Sequence, residues 1–394
     1  MRALSHPLAA LVVCAGLAAV SVAFGLHGLA GPLRTDYVAM LTGARVLGHG
    51  GCLYCAAVQA HAQAALRGVP YGGLDPFLAT PVAALAYQPL LALAPSAGFA
   101  LFLGLSAACV IASGILIWRR LGLGAHGRAG AALLALSLLS LPAAWNYELG
   151  QVDGVLLLFL VAGTLMLASG RRWAAGLLLS LLLLKPQTIW LVPLVLLLVG
   201  EWRAFAGMAI GGACLAAASV GLVGLSGVGQ WLGMLGARGP AVATSDGLPA
   251  AVASLGGNGA GVVAAAVLGV AVSVWAWGHR RSLAGRPLDV LALGVVASLL
   301  LAPHVFGYDL ILLAVPLAIL ARRSIGAALT AALLLNATYL VDSYFIHAGP
   351  HLEAVALCVI GVLLAVDVRG RASGALPGPR PVPASAAAST PTGA

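Results

Sequence analysis

Long apolar runs separated by short polar segments dominate the pattern along the chain. The runs are rich in Leu, Ala, Val and Gly and lack strand-like alternation, so they predict α-helices rather than a membrane barrel. A helix needs about 20 apolar residues to cross the hydrocarbon core. Runs near this length predict spans at 8–30, 97–118, 129–145, 152–169, 204–224, 258–278, 287–303, 307–321, 325–342 and 350–367.

One further apolar stretch, at 173–200, is interrupted by Lys185, Pro186 and Gln187. Each half is short for a complete crossing, so we expect two short helices that meet at a polar break lined by protein or water. The predicted fold class is therefore an all-α polytopic membrane protein, a helical bundle of roughly 10–12 transmembrane segments.

Composition agrees with this fold, because 61% of the 394 residues are hydrophobic and only 8% are charged. Soluble domains carry about a quarter charged residues. The net charge of +9 would suggest nucleic-acid binding, but the basic residues lie in short clusters between apolar runs. That placement is typical of the positive-inside rule. We expect membrane lipids as partners and no nucleic acid.

Tracing the chain from a cytoplasmic Arg2 places every arginine cluster on one side. The trace predicts a multi-pass protein of the cell (inner) membrane, with its arginine-rich loops in the cytoplasm and the opposite face periplasmic or extracellular. Residues 1–368 form the transmembrane domain, in which residues 31–90 are a large external loop. Residues 369–394 are rich in Pro and Ala and predict a disordered cytoplasmic tail.

Only Cys52 and Cys55, in the segment GGCLYCA, form a close pair among the six cysteines. One such pair supplies too few ligands for a metal site, and we predict no metal. Two unreactive thiols are the default expectation. A local disulfide is the alternative if this loop faces an oxidising compartment.

Polar clusters gather at the external ends of the predicted helices. Ionisable groups at membrane depth are costly and usually mark a pathway or site, so clusters on one face predict a single cavity. The candidate site residues are Asp36, Tyr37, Tyr54, Tyr87, Gln88, Asn146, Gln151, Lys185, Gln187, His304, Tyr308 and Asp309.

Structural roles are open alternatives for these residues. Asp36 is compatible with a helix N-cap, and Lys185 with a side chain that extends towards the membrane interface. Asn146 and Gln151 can join helices by hydrogen bonds, and His304 can be a hydrogen-bonded structural histidine. The tyrosines can belong to the aromatic belt at the membrane interface.

Two classes of function fit these residue types. A carboxylate just outside a span can act as general base on a hydroxyl, while a lysine or histidine can hold a phosphate oxygen. Sugar transfer from a lipid phosphate needs these groups. A transporter or lipid-linked sugar flippase can use the same groups to relay protons, so the residue types alone leave both open.

The order of several motifs resembles the GT-C superfamily, and more closely glycosyltransferase family 87, which includes bacterial α-1,2-mannosyltransferases. These motifs are Asp36-Tyr37 after the first span, Ala44, Leu47, Gly48, Leu53-Tyr54, Tyr87-Gln88-Pro89, Gly150-Gln151, Lys185-Pro186 and His304 followed by Tyr308-Asp309. The resemblance covers roughly residues 8–345.

The resemblance implies an inverting glycosyltransferase with Asp36 as catalytic base. The implied donor is a polyprenyl-phosphate-linked sugar, with mannose as the expected sugar, and the implied acceptor is a glycan or lipid of the cell envelope. Lys185 is then expected at the donor phosphate, and Gln151 and His304 at the sugar or acceptor. No cofactor, nucleotide sugar or obligatory metal is implied. Asp153 stands near a position that commonly holds Asn in the family.

Overall fold

The computed structural model describes residues 7–68, 73–238, 242–342 and 351–372. Within these ranges the chain forms α-helices joined by short 3₁₀ helices and contains no strand, which confirms the all-α polytopic membrane fold. The predicted tail lies outside the described residues from residue 373 onward. The α-helices are α1 (Pro7–Ala30), α2 (Tyr37–Gly48), α3 (Ala56–Arg67), α4 (Pro81–Tyr87), α5 (Pro95–Arg120), α6 (Gly127–Leu138), α7 (Leu141–Leu149), α8 (Asp153–Ala168), α9 (Arg172–Leu179), α10 (Val192–Val199), α11 (Trp202–Arg238), α12 (Leu248–Gly278), α13 (Arg280–Leu283), α14 (Pro287–Leu301), α15 (Ala314–Ala321), α16 (Ile325–Val341) and α17 (Leu352–Ala372).

Three of the described helices, α5, α11 and α12, are long and apolar enough to cross a membrane alone. The pair α6 and α7 makes a fourth such segment if its 41° bend is counted within one span. Eight shorter apolar helices of 10–17 residues occupy most of the other predicted spans. Helices α8, α14 and α16 nearly fill their apolar runs, whereas the run at 307–321 is divided between the 3₁₀ helix Gly307–Leu313 and α15.

The interrupted stretch at 173–200 is a pair of short helices, as predicted. Helix α9 continues into a 3₁₀ helix at Ser180–Leu184, and a second 3₁₀ helix at Pro186–Thr188 precedes α10. Lys185 stands between them with φ −132° and ψ 73°, outside the helical region. Proline disfavours helical geometry at the residue before it, so Pro186 sets the break at Lys185.

The segment between α1 and α5, which the sequence predicts to be an external loop, folds into its own small layer of helices, α2 to α4. Two buried glutamines join the segments of this layer. Gln59 forms hydrogen bonds with the backbone of Leu53 and Phe77. Gln63 forms hydrogen bonds with the backbone of Asp75. The Trp231 indole on α11 donates to the backbone oxygen of Leu78 at 2.9 Å. These bonds fix the loop against the bundle and thereby place the start of α2.

A charged cluster lies at the N-terminal end of α14. Asp289, in the first turn of that helix, pairs with Arg286 at 2.6 Å and with Arg323, which follows α15. Residues 303–309, which connect α14 to the segment containing α15, lie at the opposite end of both. The arginine end and the polar end of this helix pair are therefore separated by the 15 residues of α14, or about 22 Å of helix.

Candidate active site

Asp36 occupies the N-cap position of α2, but its side chain makes no capping hydrogen bond. The hydroxyl of Thr35 accepts from the backbone N–H of Tyr37 at 3.3 Å instead. The Asp36 carboxylate accepts a 2.5 Å hydrogen bond from the side-chain amide of Gln151. The residue itself is half-buried, in contrast to the fully buried Tyr37 that follows it.

Four influences act on the pKa of Asp36. Burial raises it above its ordinary value, while the Gln151 hydrogen bond and the charge of Lys185 lower it, and the balance is a raised pKa. A more distant carboxylate, Asp75, also raises it. A base becomes more effective as its pKa approaches the working pH, so these surroundings suit Asp36 to accept a proton.

Gln151 is fixed by the turn that joins α7 to α8. Helix α7 ends at Gly150, which has φ +67°, and the N–H of Gln151 then bonds the backbone oxygen of Asn146 at 3.0 Å. A Cβ at Gly150 would lie 2.6 Å from Phe99 Cε2 and 3.2 Å from Tyr37 Cβ. The Gly-Gln pair thus supplies the tight turn that points the Gln151 amide at Asp36.

Lys185 is the centre of a buried charged cluster. Its ammonium lies 2.7 Å from Asp153 Oδ2 and 2.5 Å from Asp309 Oδ1, and both carboxylates are 0% exposed. The same nitrogen lies 3.4 Å from Gln151 Oε1 and 4.3 Å from the centre of the Tyr308 ring. This network joins Asp36 to three distant parts of the chain.

Asp309 also organises the loop in which it lies. Its other oxygen, Oδ2, accepts from the backbone N–H of Phe306 at 2.8 Å and closes the first turn of the 3₁₀ helix Gly307–Leu313. The ring of Tyr308 packs against that of Phe306, with 5.6 Å between the centroids. The Tyr308–Asp309 pair therefore shapes the loop and contacts Lys185 together.

His304 lies in the same loop and is half buried. Its Nδ1 is buried and has no hydrogen-bond partner among the described residues. Burial lowers the pKa of His304, which favours the neutral imidazole. The loop itself is held by Ser245, whose hydroxyl donates to the Pro303 backbone oxygen at 2.8 Å. A neutral imidazole with an unused nitrogen is suited to hydrogen bonding with a sugar hydroxyl.

Three predicted tyrosines lie in the protein core. Tyr37 (0% exposed) and Tyr87 (4% exposed) pack with Phe102, and the two tyrosine hydroxyls are buried without a hydrogen-bond partner in the described part of the chain. Tyr54 donates to the Ala79 backbone oxygen at 2.7 Å and stacks on Phe77. In this conformation all three contribute packing and leave no face for a substrate.

The remaining predicted residues have mixed surroundings. Asn146 is buried and donates to the Ser106 hydroxyl at 3.5 Å, so it joins α7 to α5. Gln88 is half buried beside Gly48, at the end of α2 far from Asp36. Gln187 is half buried in the 3₁₀ helix that follows Lys185. The structure thus gathers Asp36, Gln151, Lys185, Tyr308 and Asp309 and leaves the others apart from that network.

Two acidic residues belong to this region although the sequence analysis did not select them. Asp153 pairs with Lys185, and its position at the start of α8, just after Gly150-Gln151, is the signal that could have found it. Asp246, in the loop before α12, has its backbone N–H bonded to the Val305 oxygen at 2.8 Å. It stands in a Ser-Asp-Gly turn, a pattern common to many loops.

Cys52 and Cys55 form a disulfide, which corrects the default expectation of two free thiols. The short turn between them brings the sulfur atoms together before α3 begins. A cavity of about 200 Å³ lies beside this turn, lined by Leu47, Gly50, Gly51, Cys52, Leu53, Leu222, Val223, Gly227 and Gln230. Leu47 lies in the last turn of α2, whereas Asp36 precedes the first turn of the same helix. The cavity is therefore separate from the charged network around Lys185.

No group of three or more His, Cys, Asp or Glu side chains in the described ranges is arranged to hold a metal ion. The network instead pairs its acids with a lysine and an amide. That a metal takes no part in the chemistry stays a prediction.

Comparison with known proteins gives one match. The model of glycosyltransferase family 87 matches residues 77–303, which is more than half of the chain. No curated protein and no solved structure matches. The matched range contains Gln151, Asp153, Lys185 and Asp246, while Asp36 precedes it and the Tyr308–Asp309 pair follows it.

Proposed function

Because this chain belongs to glycosyltransferase family 87, and is therefore a membrane glycosyltransferase, we propose that it transfers a sugar from a polyprenyl-phosphate donor to a glycan or lipid acceptor. Mannose is the first candidate for the sugar, through the resemblance to α-1,2-mannosyltransferases. The product would be a constituent of the cell envelope. No cofactor is required for this reaction.

The proposed reaction is a direct displacement of GT-C type at the anomeric carbon. Asp36 accepts the proton of the acceptor hydroxyl as the oxygen of that hydroxyl attacks the anomeric carbon. The bond between this carbon and the phosphate oxygen breaks, and polyprenyl phosphate leaves with the electron pair. One such displacement inverts the anomeric configuration, and the proton remains on Asp36 until solvent removes it.

The observation that carries this proposal is the position of Asp36. Asp36 is half-buried, burial raises the pKa of its carboxyl group, and the side-chain amide of Gln151 donates a hydrogen bond that fixes the direction of the carboxylate. Positioned hydrogen bonds of this kind preorganise a base for proton transfer. His304, whose buried Nδ1 has no hydrogen-bond partner among the described residues, is a candidate to bind a hydroxyl of the sugar or the acceptor from the loop that Ser245 holds.

Two independent features support an external location for the site. The arginine clusters lie at the opposite ends of the helices, which favours a cytoplasmic position for those ends. The Cys52–Cys55 disulfide lies in the same loop layer as Asp36, and disulfides persist in oxidising compartments outside the cytosol. Reporter fusions after Arg128 and after Asp153 should report opposite sides of the cell membrane. Reports from one side would contradict the topology.

The direct test is turnover of polyprenyl-phospho-mannose by purified protein, with glycan and lipid acceptors supplied. Asp36→Asn should lower the rate by about 10²- to 10⁴-fold, the usual contribution of a general base. Asp75→Asn is the matched control, since Asp75 is an acid of the same loop that pairs with Arg67 at 2.6 Å. It should retain activity within a few fold. Full activity of folded Asp36→Asn protein would remove Asp36 as the base.

A lipid-linked sugar flippase is the alternative that this assay also separates. Movement of the donor across proteoliposomes without a new glycosidic bond would support a flippase instead of a transferase. Family membership favours the transferase, and product analysis by mass spectrometry identifies both the sugar and the acceptor.

A further inference from the structure

The ammonium of Lys185 has no donor left for another ligand. A lysine carries three N–H donors and no acceptor. In the structure these face three oxygens, Asp153 Oδ2 at 2.7 Å, Asp309 Oδ1 at 2.5 Å and Gln151 Oε1 at 3.4 Å. The lysine side chain is only 13% exposed. A phosphate bound here would have to displace one of these partners.

The charge around Lys185 also disfavours an anion. Two carboxylates that are 0% exposed share one ammonium, so the cluster as a whole is negative when both are ionised. Displacing either carboxylate would leave it buried and without its countercharge, which is strongly unfavourable. A donor phosphate therefore meets a cation that is already neutralised.

Gln151 links this buried cluster to Asp36, because its side-chain amide forms a hydrogen bond with each of them. Lysine only donates, so the oxygen end of the amide must face Lys185. An ionised carboxylate only accepts, so the NH₂ end must face Asp36, as observed at 2.5 Å. Both ends of the amide are thus assigned by their neighbours, and a flipped amide would place donor against donor. The backbone of Gln151 is held as well, through the Gly150 turn.

The break at residue 185 is itself rigid. The backbone oxygen of Lys185 accepts from both the N–H and the hydroxyl of Thr188, at 3.1 and 2.9 Å. Its N–H bonds the Leu182 oxygen at 3.0 Å. A group that is held in this way from both sides is suited to fix a neighbour in place.

From this geometry we infer that Lys185 is a positioning residue that acts through Gln151 to hold the Asp36 carboxylate, and that it does not bind the donor phosphate. The inference rests on the proposed function, since it takes Asp36 to be the base. It replaces the phosphate role expected from the family resemblance. Asp153 and Asp309 then serve to anchor the ammonium.

Gln151 and Lys185 also influence the protonation of Asp36. The Gln151 hydrogen bond and the Lys185 charge both lower the pKa of this carboxyl group, whereas burial and the charge of Asp75 raise it. Tyr308 also lies within electrostatic range of Asp36. Removing the amide therefore shifts the pKa of Asp36 upward and leaves the lysine cluster in place.

The test compares Gln151→Leu with wild-type protein by pH–rate profiles and donor KM. We expect the acidic limb of kcat/KM to move up by about one pH unit, with partial recovery of the rate at high pH and donor KM within twofold. Lys185→Met, if it folds, should give the same direction of shift. A tenfold rise in donor KM for Lys185→Met, with the acidic limb unmoved in both variants, would overturn the inference in favour of phosphate binding.

A second measurement does not depend on turnover. Carbodiimides react with protonated carboxyl groups, so the pH midpoint of Asp36 modification, followed by mass spectrometry, reports its protonation directly. The midpoint should rise in Gln151→Leu and stay unchanged in Gln88→Leu, a half-buried glutamine elsewhere. An unchanged midpoint in Gln151→Leu overturns the inference even if the wild type proves inactive. Absence of turnover in the wild type alone counts only against the proposed function.

Discussion

Two charged clusters lie at opposite ends of the helix pair formed by α14 and the segment containing α15. Their compositions are of opposite sign. At one end a single acid, Asp289, pairs with two arginines, Arg286 and Arg323. At the other end a single cation, Lys185, pairs with two acids, Asp153 and Asp309. One cluster carries an excess of positive charge and the other an excess of negative charge.

The clusters differ in how the chain builds them. Asp289 and Arg286 are three residues apart at the start of one helix, so local geometry brings this pair together, and Arg323 joins it from the end of the neighbouring helix. Lys185, Asp153 and Asp309 come from three separate segments and meet only in the folded bundle. A buried group of charges assembled from three distant segments is costly and is typical of a site.

The largest expected difference between the clusters is in stability. Lys185→Met leaves two buried carboxylates without their cation and should destabilise the protein by about 3–5 kcal/mol. Arg323→Met leaves Asp289 paired with Arg286, so no buried charge loses its last partner, and we expect a smaller loss of about 1.5–3 kcal/mol. Thermal unfolding of both variants in the same detergent measures the contrast.

A compensating variant checks the physical reason. Adding Asp153→Asn and Asp309→Asn to Lys185→Met removes the unpaired charges, so the triple variant should melt above Lys185→Met alone. The amide oxygen that Asp309→Asn introduces can still accept from the backbone N–H of Phe306, which the carboxylate bonds in the wild type. Equal melting temperatures for Lys185→Met and Arg323→Met would show that the loss of the only cation in a cluster costs no more than the loss of one of two.

A smaller loss of stability is expected from a substitution in the turn that places Gln151 beside Asp36. We call the end of the bundle that holds Asp36, Gln151 and Lys185 the site end. Gly150→Ala places a Cβ 2.6 Å from Phe99 at a residue with φ +67°. We expect a loss of about 1–3 kcal/mol in stability together with reduced turnover, because the turn must shift and carry Gln151 away from Asp36. Gly170→Ala, at another positive-φ glycine with open space around it, is the control. It should affect stability modestly and leave turnover near wild type.

The sequence predicted the bundle well and the site in part. Apolar runs locate nearly every described span, and Pro186 locates the break at Lys185, because these are local properties of the chain. The sequence pattern identifies Lys185 and Asp309 as site candidates, because both are polar residues in apolar surroundings. It does not predict that they pair with each other, because that contact depends on tertiary packing. Tyr37 was selected as a site residue, although it packs in the core beside Phe99. A tyrosine at a helix end gives the same sequence signal in both environments.

Asp246 provides the finest test of the difference between the two ends. Burial, together with the charges of Asp309 and Asp342, raises the pKa of Asp246 from 3.8 to about 7, against a lowering hydrogen bond from the Gly307 backbone. The folded protein therefore keeps this proton to about pH 7, whereas the unfolded chain releases it near pH 4. Between these values the folded state binds more protons, so stability should fall as pH rises.

The experiment follows the melting temperature between pH 5 and 8. Wild-type protein should lose stability across this window, and Asp246→Asn should flatten the decline while keeping an oxygen for the Gly307 N–H. Ser245→Ala, in the same loop, removes the hydroxyl bond to Pro303 without removing a titrating group and should retain the wild-type slope. If the melting temperatures of Asp246→Asn and wild type decline in parallel, the negative charge at the site end does not raise the pKa of Asp246. The contrast between the two ends would then be confined to the immediate surroundings of Lys185.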